Sequence, residues 1–65
     1  MVRTKDLIGF HRGDLVEARH RWRDSYRGTI ETLIPHQGIL WLRHGPFSER
    51  KLIDSAEYEI WKLLP

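Results

Sequence analysis

The chain has 65 residues, room for one domain, and a domain this small buries only about 60% of the surface its unfolded chain exposes, which excludes a large core and a deep catalytic cleft. A hydrophobic fraction of 40% and a charged fraction of 31% exclude a disordered tail, and the lack of cysteine excludes disulfide staples and thiolate metal sites. The formal net charge is +2, unevenly placed: residues 1–45 hold eight Lys or Arg against five acids, and residues 46–65 hold three against four.

No apolar run approaches the roughly 18 residues that would cross a bilayer. Met1 to Asp6 lack the apolar stretch of a secretory signal, so a cytoplasmic protein is expected. In chain order, residues 1–12 form an N-terminal arm or lead-in strand around Leu7-Ile8-Gly9-Phe10. Residues 13–65 form the main domain, opened by a turn at Gly13-Asp14. Leu15 to Arg19 alternate as a strand, with Val16 and Ala18 on one face and Glu17 and Arg19 on the other. Residues 20–27 show no buried periodicity and read as a loop. Gly28 opens a second strand through Ile34, whose β-branched content suits a pleated sheet. Pro35 to Gly38 make a four-residue hairpin connection, since Pro35 has no N–H to give a ladder.

Ile39 to Arg43 return as a third strand, apolar on both faces and therefore central. Arg50 to Ile53 form a fourth after the turn His44 to Phe47. In the last segment Tyr58 and Ile60 share a strand face. Asp54 and Glu57 have capping-box spacing, and Ala56, Ile60, Leu63 and Leu64 would share a helical face. The reading adopted is a short 3-10 or helical turn at Ser55 to Glu57 and then a fifth strand. The fold class expected is all-β: a small five-stranded SH3-like barrel, closed so that few strand edges stay exposed.

The order of residues resembles the Tudor and Agenet modules. Gly13-Asp14-Leu15-Val16-Glu17-Ala18 is similar to their opening G-D-x-V-x-A. Trp22, Tyr26 and Gly28-Thr29-Ile30 resemble their second strand. Leu40 to Gly45 and Ile60 to Leu63 stand where those families carry V-x-F-x-D-G and I-R-x-L. Retroviral integrase C-terminal domains and ribosomal KOW modules open in a similar way. The resemblance spans residues 13–63 and implies a Tudor-like barrel. A methyl-reading cage needs aromatic walls and usually a carboxylate. Here Leu42 and His44 stand at two of its positions, leaving Trp22, Tyr26 and Trp41.

The segment from Arg19 to Arg27 holds four arginines, one acid and two aromatics. Guanidinium forks match phosphate oxygens, and interleaved aromatics stack on bases or wedge into a groove. The expected nucleic-acid-binding residues are Arg19, Arg21, Trp22, Arg23, Tyr26 and Arg27, with Arg43 joining them from the third strand. Trp41 and Trp61 read as core or barrel-end packing. His11, His20, His36 and His44 have no metal-ligand spacing and read as local charge that strengthens anion binding on acidification. Ser25, Ser48 and Ser55 have no nucleophile context, and no Gly-rich phosphate loop is present.

The function expected is a non-catalytic module without metal or cofactor that binds nucleic acid, DNA in preference to RNA. The alternative is a protein-interaction adaptor or Tudor-like peptide reader, and a homo-oligomer burying a strand edge is a third possibility.

Overall fold

A computed structural model describes residues 2–4, as backbone, and residues 7–63 with their side chains. Lys5, Asp6 and Leu64, which enter the sequence reading, lie outside them. The chain is all-β and antiparallel. Its strands are β1 (Val2–Thr4), β2 (Leu15–His20), β3 (Tyr26–Ile34), β4 (Ile39–His44), β5 (Glu49–Asp54) and β6 (Tyr58–Lys62). The sheet order is β1-β6-β2-β3-β4-β5, so β4 is internal as its two apolar faces predict. No helix among the described residues is long and apolar enough to cross a membrane.

The alternation along each strand decides which face is buried. Val16, Ala18, Ile30, Leu40, Leu42, Ile53, Tyr58 and Ile60 all point to one side and form the core with Leu7 and Phe10. The principal extents are 28 × 26 × 23 Å. Sheets stack about 10 Å apart, so a flat sheet would be far thinner along its third axis than this. The sheet is therefore curled around its own inner face.

The sheet does not close into the expected barrel. The ladder ends at β1 and β5, which do not pair with each other. β1 spends its three residues on β6 (Val2 to Lys62, Arg3 to Trp61, Thr4 to Ile60). Side chains of the N-terminal arm join the core in addition to the strands: Leu7 and Phe10 are buried, and Lys62 fastens the arm by donating to the Gly9 carbonyl at 3.1 Å. The arm is thus part of the folded unit, with both a lead-in strand and a packed segment.

Two local features set the shape of β3. Ile30 pairs with Leu42 and Thr32 with Trp41, which leaves Glu31 as the extra residue of a β-bulge and turns its side chain to the outer face. Gly28 lies buried against β4, where an added Cβ would stand 2.2 Å from the Arg43 carbonyl oxygen. The hairpin after β3 is a 3-10 turn, Pro35–Gln37, ended by Gly38 at φ 67°. The 3-10 element thus falls in this hairpin and not near the C-terminus. At residues 55–57 the chain makes a hydrogen-bonded turn, in which Asp54 Oδ1 accepts from the Ala56 N–H at 2.9 Å and Glu57 N–H donates to the Asp54 carbonyl. An Asp side chain held in this way replaces the first helical bond, so β6 follows at once.

Candidate functional site

Pleating separates the residues that the sequence groups together. Glu17, Arg19, Arg27, Arg43, Arg50 and the rings of Trp41 and Trp61 lie on the outer face, whereas Tyr26 is turned inward beside Ala18. The outer arginines are engaged by carboxylates. Arg19 Nε donates to Glu17 at 2.5 Å, and Arg27 reaches the same carboxylate at 3.5 Å. Arg43 and Arg50 are directly opposed across the β4–β5 ladder, a repulsive placement. The bulged Glu31 bridges them, accepting from Arg43 through one oxygen and from Arg50 through the other at 2.7 Å.

The tryptophans expected in the core are half-exposed on this outer face. The Arg19 guanidinium lies 4.6 Å from the Trp61 ring centre, and that of Arg50 lies 4.3 Å from Trp41. Amphipathic rings serve here as platforms for arginine because the core is already filled by aliphatic residues. Arg19, Arg27 and Arg43 therefore do not join one open basic patch with Arg21 and Arg23.

These contacts set an acid response. Hydrogen bonding from Arg19, with the charges of Arg19 and Arg27, holds the Glu17 carboxyl below its ordinary range against partial desolvation. Desolvation would raise Glu31, and its two arginines outweigh it so that the group is lowered. Asp14 is likewise raised by desolvation and lowered on balance by the His11 N–H and by Lys62, 3.2 Å away. A carboxylate with a depressed folded pKa stabilises the protein above its unfolded pKa. That contribution is intact above about pH 5 and is lost as pH falls through about 4 and below. Glu31→Gln is expected to lower the melting temperature slightly at neutral pH, to make the acid limb shallower, and to differ less from the parent in high salt. Identical melts across pH 3 to 7 for the two proteins would remove the bridge from the account.

The loop 21–25 differs from the sheet face. Trp22 is 83% exposed. Its backbone N–H donates to His20 Nδ1 at 3.0 Å, which folds the loop back onto the end of β2. Arg21 and Arg23, on either side, are exposed and make no ion pair among the described residues. Trp22 is thus an indole in solvent between two guanidinium groups that have no ion-pair partner among the described residues.

Next to it lies a cluster that the sequence reading missed. On five strands the residue one inward step beyond a buried position is His20, Tyr26, His44, Lys51 or Tyr58, following Ala18, Gly28, Leu42, Ile53 and Ile60. Their rings form a row. His20 meets Tyr58 edge-on at 5.0 Å, Tyr58 lies 6.3 Å from Tyr26, and Tyr26 meets His44 edge-on at 5.1 Å. Lys51 Nζ stands 5.0 Å from the Tyr26 ring centre. Among the described residues Lys51 has no ion pair, although Glu49 stands in register with His44 at the exposed rim.

This row is the mouth of the curled sheet. Loop 21–25 runs from His20 to Tyr26, and loop 45–48 runs from His44 to the start of β5. Each carries one exposed aromatic, Trp22 and the equally exposed Phe47. The signal available in the sequence was the inward parity of His20, His44 and Lys51. It lay hidden because polar residues on a core face look like strand ends.

Compared with protein-family models, curated proteins and solved structures, the chain matches none. Among the described residues no three His, Cys, Asp or Glu side chains come together in a way that could hold a metal ion.

Proposed function

We propose that this chain is a non-catalytic module that binds single-stranded nucleic acid across the mouth, on a scaffold of the SH3-like, Tudor-like kind. The observation that carries the reading is the exposed Trp22 between Arg21 and Arg23, neither of which is paired with a carboxylate among the described residues. Aromatic side chains on neighbouring loops accept the faces of unstacked bases, and nearby cations hold the connecting phosphates. Tyr26, His44 and Lys51 extend the same surface inward. The likeness to SH3-like barrels is supported by five consecutive antiparallel strands whose last member returns beside the first, β6 against β2.

Stacking and phosphate contacts do not involve the ribose 2′-hydroxyl, so this geometry adds nothing to the preference for DNA, and DNA and RNA are expected to bind alike. Arg21, Arg23 and Lys51 are the cations available. Two or three neutralised phosphates correspond to a slope of log affinity against log salt of about −1.4 to −2.1 on a single strand. Anisotropy titrations of labelled oligothymidine and oligouridine across salt measure it. Absence of binding at about 50 mM salt would end the proposal.

A peptide-binding adaptor is the second reading, favoured by the paired exposure of Trp22 and Phe47, residue types that anchor interfaces. Its affinity would depend little on salt, which separates it from the first.

A further inference from the structure

β5 is the last strand of the sheet; from Glu49 to Ile53 its outer edge receives no backbone hydrogen bond among the described residues, and at its end the Asp54 carbonyl accepts from the Glu57 N–H. Such an edge offers N–H and C=O groups to another strand. Along it Arg50, Leu52 and Asp54 lie on the outer face, and Lys51 and Ile53 lie on the inner. Leu52 is 43% exposed and directly opposite Trp41, so an apolar strip runs out to the edge.

Pairing of two copies about a two-fold axis keeps inner and outer faces continuous only if residues of like parity are opposed. An axis through Arg50 or Lys51 sets like charges against each other. One through Ile53 sets Leu52 against the partner's Asp54. An axis through Leu52 places leucine on leucine and brings Arg50 of each copy to Asp54 of the other. Both ion-pair members keep atoms for this. Arg50 uses Nε for Glu31, and Asp54 uses Oδ1 for Ala56.

We infer that the chain forms a two-fold dimer by antiparallel β5–β5 pairing centred on Leu52. The strand's charges select this register and reject its neighbours, which is how a charged edge becomes specific instead of sticky. The inference is independent of nucleic-acid binding, and its test contains none.

Because the chain has no cysteine, single-cysteine variants report the register directly. Directly opposed residues have Cα atoms about 4.5–5.5 Å apart, inside the roughly 4.4–6.8 Å that a disulfide needs. Leu52→Cys is therefore expected to cross-link under mild oxidation. Arg50→Cys would face its own copy across four residues, about 13 Å, and is expected not to. In sedimentation equilibrium the unmodified chain should rise from 7.8 kDa toward twice that mass with concentration. Leu52→Glu should stay at the monomer mass with an unchanged circular dichroism spectrum. A parent chain that remains monomeric at millimolar concentration overturns the inference. So does a Phe47→Cys control that cross-links as fast as Leu52→Cys.

Discussion

Trp22→Ala is expected to weaken oligonucleotide binding by about 5- to 150-fold, the equivalent of the roughly 1–3 kcal/mol contributed by one stacked base. The melting temperature should hardly move, because an indole that is 83% exposed contributes little to the core. The paired change Arg21→Glu and Arg23→Glu should go further and abolish binding at physiological salt, since it replaces two phosphate contacts with two repulsions. Arg27→Ala is the internal control. Its guanidinium shares Glu17 with Arg19 on the outer face, away from the mouth, so its loss should leave the affinity nearly unchanged. Equal losses for Arg27→Ala and for the loop variants would mean that net charge, not the mouth, governs binding. Binding that survives the paired reversal but not Trp22→Ala would favour the peptide-adaptor reading.

Gly28→Ala is expected to be the most damaging single methyl in the chain. The new Cβ would stand 2.2 Å from the Arg43 carbonyl oxygen, with the carbonyl carbon at 3.0 Å and His44 Cβ at 3.1 Å. None of these is the far end of a flexible side chain, so β3 and β4 must separate. Overpacking a closed site costs about 1–3 kcal/mol and occasionally more. A chain of this length is held by only about 3–10 kcal/mol in all. A cost of about 3 kcal/mol would lower the melting temperature by about 12–24 °C in a domain of this size. Thermal melts by circular dichroism measure this, and a variant melting within about 3 °C of the parent would show that the two strands can part there without strain. Because β3 leads into Tyr26 and β4 into His44, partial separation should also weaken binding at the mouth.

Much of this architecture is legible in the residue order because a strand leaves a short-range trace. Val16 and Ala18 alternate with Glu17 and Arg19, the branched run Thr29 to Ile34 stops at Pro35, and Leu40 and Leu42 lie inward on β4. The position of β4 inside the sheet follows from its two apolar faces. The bulge at Glu31 left no such trace, since one extra residue leaves composition unchanged and shifts only which side chains face outward. Trp41 and Trp61 depart from the expected core packing for a related reason. Hydrophobicity alone suggests burial, while parity puts both rings on the outer face, where arginines cover them.

The sequence by itself determined the central strands, the hairpin break at Pro35, most of the aliphatic core and the position of a Trp22 loop flanked by arginines, because each depends on neighbours a few residues apart. The tertiary structure alone decided which cations are spent and which are free. Arg43 and Arg50 meet Glu31 from 12 and 19 residues away, and the ring row from His20 to His44 gathers side chains from four strands. Charge pairing and ring contacts act through space over a few ångströms, and the curl of the sheet, not order along the chain, sets those distances.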